Sequence, residues 1–304
     1  MNELADLSAE ICELAREKHA LILAHNYQRA EIQDVADFVG DSLGLSRQAA
    51  AMHAGLIVFA GVHFMAETAK ILAPSKTVLL PEPKAGCPMA DMVTGEALMA
   101  WKAAHPGVPV VTYVNYSAEV KAESDVCVTS ANAVAVVRAL RAKHILFAPD
   151  RNLGSWVARS LPEVTVDLWD GWCPTHDEVT VAQVEGAKLN HPDALVMAHP
   201  ECRPEVVDLA DAVLSTSQML AYAVSSEAEE FLVVTEDGLL HGLRKAAPEK
   251  HFYDLSPRML CPNMKVTTLS KVRDCLATGS GEVVVPEDVR VRALAAVEKM
   301  IAIG

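Results

Sequence analysis

The chain has 304 residues, 51% of them hydrophobic and 22% charged, with a formal net charge of −14. This composition excludes a disordered polymer and allows a large core. The acidic balance disfavours a nucleic-acid backbone as partner, which needs a basic face, but not a small anion held in a local pocket.

The N-terminal segment reads as an amphipathic helix, with Leu4, Leu7, Ile11 and Leu14 set among Glu3, Asp6, Glu10 and Glu13. It lacks the basic start, apolar run and cleavage site of a signal peptide. No stretch reaches the length of a membrane span without charge. A cytoplasmic protein is expected. The seven cysteines then read as thiols or metal ligands, not as a disulfide framework.

Next comes a fixed order of elements. An apolar strand at 20–24 ends at His25, and a short helix and a second strand at 37–39 lead to Ser42. A helix, a third strand at 56–60, another helix over 66–72 and a fourth strand at 77–80 lead to Cys87-Pro88. The same order recurs twice, with strands at 108–112, 125–128, 144–148 and 165–168 before Cys173-Pro174, and at 194–198, 211–214, 231–234 and 251–254 before Cys261-Pro262. The Cys-Pro intervals are 86 and 88 residues.

Setting His25, Tyr113 and His199 in register aligns Tyr27 with Asn115 and Glu201, Asp37 with Asp125 and Asp211, and Ser42 with Ser130 and Thr216. Seven residues beyond each Cys-Pro cysteine stand Thr94, Thr180 and Thr268. Wholly apolar strands alternating with helices predict parallel sheets covered on both faces. The expected fold is α/β, with three homologous three-layer αβα domains around a pseudo-threefold axis. Expected boundaries are 1–105, 106–191 and 192–280. Residues 281–304 add a strand at 283–285 and a terminal helix, which pack with the N-terminal helix on the first domain.

Ligands gather outside the carboxyl ends of parallel strands, and the repeated His/Tyr, hydroxyl and Cys positions all follow strands. Three cysteines brought to one point suit an iron–sulfur cluster with one open iron, a zinc site completed by His176, or unliganded thiols. Glu201 beside His199 is a general-base candidate, or else a helix cap or surface charge. His25 and His199 can pair with a carboxylate, or satisfy loop carbonyls. Tyr27 and Asn115 can donate to a substrate. Ser42, Thr129, Ser130, Ser215, Thr216 and Ser217 sit where helices begin, as plain N-caps or as holders of phosphate and carboxylate. Lys265 reads as an anion partner or a surface lysine. Cys12, Cys127 and Cys275 read as buried filler, and Cys202 as filler or, lining the pocket beside Glu201, as a ligand. There is no P-loop and no dinucleotide fingerprint.

The strings AHNYQ (24–28), GDSLGLS (40–46), GCPMAD (86–91), YVNYSAEVKA (113–122), FAPDRNLG (147–154), HPEC (199–202), STSQM (215–219), TEDGLLHGL (235–243) and CPNMK (261–265) resemble the quinolinate synthase family of NAD biosynthesis. The likeness spans residues 18–300. It implies one [4Fe-4S] cluster at the domain junction, held by Cys87, Cys173 and Cys261, whose open iron is a Lewis acid for dehydration. It implies condensation of iminoaspartate with dihydroxyacetone phosphate to quinolinate. By the same likeness His25, Ser42, Asn115, Ser130, His176, Ser215 and Thr216 bind substrate, and Tyr27, Tyr113, His199 and Glu201 are catalytic. An iminoaspartate-producing enzyme is the implied functional partner, and a monomer is expected because one chain completes the site. The competing readings are another [4Fe-4S] hydro-lyase and a non-catalytic, metal-stabilised binding protein.

Overall fold

The computed structural model describes residues 3–303. Its strands form three four-stranded parallel sheets, each flanked by helices. The first contains β1 (Ala20–His25), β2 (Phe38–Gly40), β3 (Leu56–Ala60) and β4 (Thr77–Leu79). The second contains β5 (Val110–Tyr113), β6 (Val126–Val128), β7 (His144–Ala148) and β8 (Thr165–Leu168). The third contains β9 (Leu195–Ala198), β10 (Ala212–Val213), β11 (Glu230–Val234) and β12 (His251–Tyr253). The spatial order is the same in all three: β2-β1-β3-β4, β6-β5-β7-β8 and β10-β9-β11-β12. The central strands are buried on both faces, which is why their sequences are apolar without alternation.

The repeated aspartate has a structural cause. Asp37, Asp125 and Asp211 each accept, at 2.8 Å, the backbone N–H of the central strand beside them, from Ile22, Val110 and Val196. Each also donates its own N–H back to the carbonyl of that residue. The pair of bonds sets the register of the edge strand in each sheet.

The repeated threonines are N-caps. Thr94, Thr180 and Thr268 accept the backbone N–H of Ala97, Gln183 and Lys271, opening helices Gly95–Ala104, Val181–Asn190 and Leu269–Thr278. Each of these helices covers the sheet of the next unit. Leu98 packs with Val110 and Leu146 of the second sheet and with Tyr116 just beyond β5. Val184 packs with Val196 and Val234 of the third. Leu269, Val272 and Leu276 pack with Ile22, Val58 and Leu79 of the first. The last helix thus returns to the first sheet, and the units are linked in a ring. Breaks at 105 and 191 fall after helices that belong, by packing, to the following sheet.

The two terminal helices contact different elements. Helix Glu3–Glu17 packs on Leu269–Thr278, while helix Glu287–Ala302 packs on Ala118–Glu123 and β6 as well as on His63–Leu72 and Ser42–Ala51. The strand expected at 283–285 is reduced to one antiparallel bridge, Leu79 with Glu282, and a bond from Val283 N–H to the Val78 carbonyl. Gly281 opens this contact. It has φ +84, and a Cβ there would lie 2.3 Å from the Leu80 carbonyl oxygen, so the position needs glycine. Among the described residues no helix is long and apolar enough to cross a membrane.

Candidate active site

The carboxyl ends of the strands from all three units meet at one cavity. The first unit contributes His25, Tyr27, Ser42 and Cys87 to its lining, the second Tyr113, Asn115, Ser130, Cys173 and His176, and the third His199, Glu201, Thr216 and Cys261. Ser215 is not in this wall. It is buried behind it, in a capping box with Gln218 at the start of helix Thr216–Ser225. Thr129 does line the cavity, as do Asp41 and Glu236, which the repeat does not single out.

The same turn follows β1 and β9. Tyr27 N–H donates to His25 Nδ1 at 3.1 Å, and Glu201 N–H donates to His199 Nδ1 at 3.3 Å. A ring whose Nδ1 accepts carries its hydrogen on Nε2 when neutral. His199 Nε2 lies 3.2 Å from Ser130 Oγ of the second unit. Asn26 Nδ2 donates to Thr216 Oγ1 at 2.8 Å, joining the first unit to the third.

Glu201 is the centre of the charge distribution. One carboxylate oxygen, Oε2, lies 2.9 Å from His176 Nδ1 and 3.3 Å from His199 Nδ1. The other, Oε1, is buried and has no partner among the described residues, and the same is true of Asn115 Oδ1. Two orphaned acceptors in one cavity wall mark where a ligand's donors fit. Burial alone pushes the Glu201 carboxyl up, but His176 and His199 together outweigh it and hold the group below the usual carboxylate range. Burial pushes His25 down to about 3 and also lowers His199, so both imidazoles are neutral donors or acceptors. Burial, reinforced by the Glu201 charge, pushes the Tyr27 and Tyr113 phenols well up, which keeps their protons in place.

The cysteine expectation needs correction. All three Cys-Pro thiols line the cavity, yet the compact set of metal-type donors is Cys173, His176 and Glu201, with one donor atom from each within 4.8 Å of the others. Cys87 and Cys261 are not part of it. The reason is local geometry: His176 lies one helical turn beyond Cys173, with Nδ1 3.2 Å from Sγ, and Glu201 reaches across from the third unit to the same nitrogen. Burial pushes the three thiols up, Cys87 to about 12. A [4Fe-4S] cluster carried by three cysteines is therefore not the donor arrangement of this site. The thiol, imidazole and carboxylate found together are the ligand types of a borderline cation such as zinc.

Lys265 is an anion partner, and the anion is the protein's own Glu236. Its ammonium is bound to that carboxylate at 2.9 Å and to the Tyr27 carbonyl at 2.6 Å, so it pins the third unit to the first. One further expectation changes. Cys12 is exposed, not buried filler, whereas Cys127, Cys202 and Cys275 are buried.

The family described as Quinolinate synthetase A protein matches residues 9–302. The chain belongs to this family. It is 54% identical over 297 residues to the quinolinate synthase of Geobacter metallireducens, covering 98% of this chain and 97% of that one. It is 53% identical over 303 residues to that of Methanoregula boonei, with all of both chains covered. It is 52% identical over 294 residues to that of Thermodesulfovibrio yellowstonii, at 97% of each. As a family member the chain is an enzyme, and the cavity shared by its three units is where its strand ends deliver their polar side chains. Sequence reasoning passed over Glu236 and its neighbour Thr235, although both lie in the string TEDGLLHGL. The signal was a slot directly after the third strand of each unit, occupied by Gly61-Val62, Pro149-Asp150 and Thr235-Glu236.

Proposed function

We propose that the enzyme condenses iminoaspartate with dihydroxyacetone phosphate in this cavity, giving quinolinate, phosphate and two waters. The observation that carries the reading is the Glu201 carboxylate, with one oxygen 2.9 Å from His176 Nδ1 and the other free of partners among the described residues, in a wall shared by three units. The reaction balances without an oxidant or reductant, so it needs no hydride acceptor.

Joining the two substrates requires removal of a proton from carbon, then protonation of departing hydroxyl groups. The unpartnered Glu201 Oε1 is the base. The phenols of Tyr27 and Tyr113 and the imidazole of His199 are the groups placed to return protons. Both substrates are anionic. Helices Ser42–Ala51 and Thr216–Ser225 begin at the cavity, so their first-turn N–H groups and hydroxyls suit a carboxylate and a phosphate. His25, Asn115 and Ser130 add neutral donors that do not depend on the protein's net charge. The imine hydrolyses in water, and an enclosed interdomain cavity limits that loss. For the same reason an enzyme that forms iminoaspartate must act just upstream. The cavity is completed by a single chain, in keeping with a monomer.

The test is a quinolinate assay with iminoaspartate generated in place and dihydroxyacetone phosphate. The wild-type protein is expected to form quinolinate. Glu201→Gln, of the same shape but unable to accept the proton, is expected to lower kcat by about 100- to 10,000-fold. No quinolinate from the wild type, or full activity in Glu201→Gln, would overturn the reading.

A further inference from the structure

Thr235 stands directly after β11 and is 3% exposed. Its Oγ1 lies 2.6 Å from the Tyr27 hydroxyl and 2.9 Å from His176 Nε2. One hydroxyl of the third unit thus touches a phenol of the first and an imidazole of the second. Both partners line the cavity, whereas Thr235 lies behind them. At the corresponding positions after β3 and β7 the chain has Gly61 and Pro149, which carry no hydroxyl.

We propose that the Thr235 hydroxyl is a positioning residue that fixes the Tyr27 phenol and the His176 ring for the reaction. The inference rests on the functional reading above. His176 Nδ1 faces the Glu201 carboxylate at 2.9 Å, so the ring is held from two sides, by Glu201 at one nitrogen and by Thr235 at the other. The same Thr235 hydroxyl is within hydrogen-bond distance of the Tyr27 hydroxyl. Without it, the phenol and the ring each lose a partner that fixes their place. Misplacement of a reacting group by about 1 Å is enough to cost roughly 100-fold in rate.

Thr235→Val and Thr235→Ser separate positioning from packing. Thr235→Val, of near-equal shape, is expected to lower kcat by about 10- to 100-fold with KM within about twofold. Thr235→Ser is expected to stay within about threefold of wild type. In a Tyr27→Phe background, Thr235→Val is expected to cost little more, because the group it positions is already gone. Wild-type kcat in Thr235→Val, an equal loss in Thr235→Ser, or losses that multiply in the double variant would overturn the proposal. If Thr235→Val does not fold, Thr235→Ala is compared with Thr235→Ser on the same terms. Thermal unfolding of the two single variants and the double variant reports the same coupling without activity, as a drop in the double smaller than the sum of the singles. A wild type that forms no quinolinate would sink the functional reading, while this unfolding cycle would still decide the link between Thr235 and Tyr27.

Discussion

Asp150 accepts the backbone N–H of Cys173 through Oδ2 at 3.1 Å. The third unit repeats the arrangement, with Glu236 Oε1 accepting the N–H of Cys261 at 3.1 Å. The first unit has Val62 in that slot, and its loop is held by the backbone instead, from His63 N–H to the Ala85 carbonyl at 2.7 Å. Two of the three cysteine loops therefore hang on a buried acid. Asp150 Oδ1 also caps a helix by accepting Leu153 N–H at 2.7 Å. Asp150→Ala orphans both donors, one of them in a loop that builds the site. It is expected to destabilise the fold by about 2–4 kcal/mol, measured by urea denaturation. Asp150→Asn keeps one acceptor oxygen and should fall between the two.

Lys265 matters for stability before it matters for charge at the site. Its partner Glu236 is completely buried, and burial pushes that carboxyl up even with the ammonium beside it. Lys265→Met leaves the acid without its cation and the Tyr27 carbonyl without its donor. A loss of about 3 kcal/mol is expected. Adding Glu236→Gln should restore part of it. A double variant no more stable than Lys265→Met would show that the pair is not what holds the loop.

His25 makes stability depend on pH. Burial lowers it from 6.5 to about 3, so the folded protein keeps the ring neutral while the unfolded chain takes a proton. Between those two values the unfolded state binds more protons, and stability falls as pH falls through the window. It is fully present above about pH 6.5. One such group contributes a slope of at most about 1.4 kcal/mol per pH unit. His25→Asn cannot be charged, so its denaturation midpoints between about pH 6 and about pH 4 should decline less steeply than those of wild type. An unchanged slope would remove His25 from the account.

Gly238 sets how closely the third unit approaches Tyr27. A Cβ there would come 2.7 Å from the Tyr27 carbonyl carbon and 2.8 Å from its Cα, backbone atoms that cannot turn aside. Gly238→Ala is expected to cost about 1–3 kcal/mol and to lower kcat by displacing the Tyr27 phenol. Gly186→Ala is the control. It lies within helix Val181–Asn190 with nothing within 4 Å of its Cβ, and should be stabilising by about 0.5–1 kcal/mol.

Much of the site was legible in the chain because the same strand-to-loop geometry was written three times. His25 and His199 sit in the same turn, and Asp37, Asp125 and Asp211 make the same bonds, because each is read by atoms a few residues away or on the adjacent strand. The hydroxyl slot was legible as a position but not as a role. Thr216 reaches the cavity, while Ser215 next to it is taken up by its own helix cap. Lys265 was legible as an anion partner but not as the link to Tyr27, and the slot of Thr235 was legible but not its role, since Tyr27 and His176 belong to other units.

By itself the sequence determined three parallel-sheet units, the strand ends that carry chemistry and the cavity's principal residues, since periodicity and turn chemistry are local. Tertiary structure alone decided that each post-cysteine helix covers the next sheet, that Cys173 and not all three cysteines stands with His176 and Glu201, and that Thr235 meets Tyr27 across 208 residues of chain. Those contacts depend on how the finished units pack around their common axis, a fit of surfaces far apart in sequence.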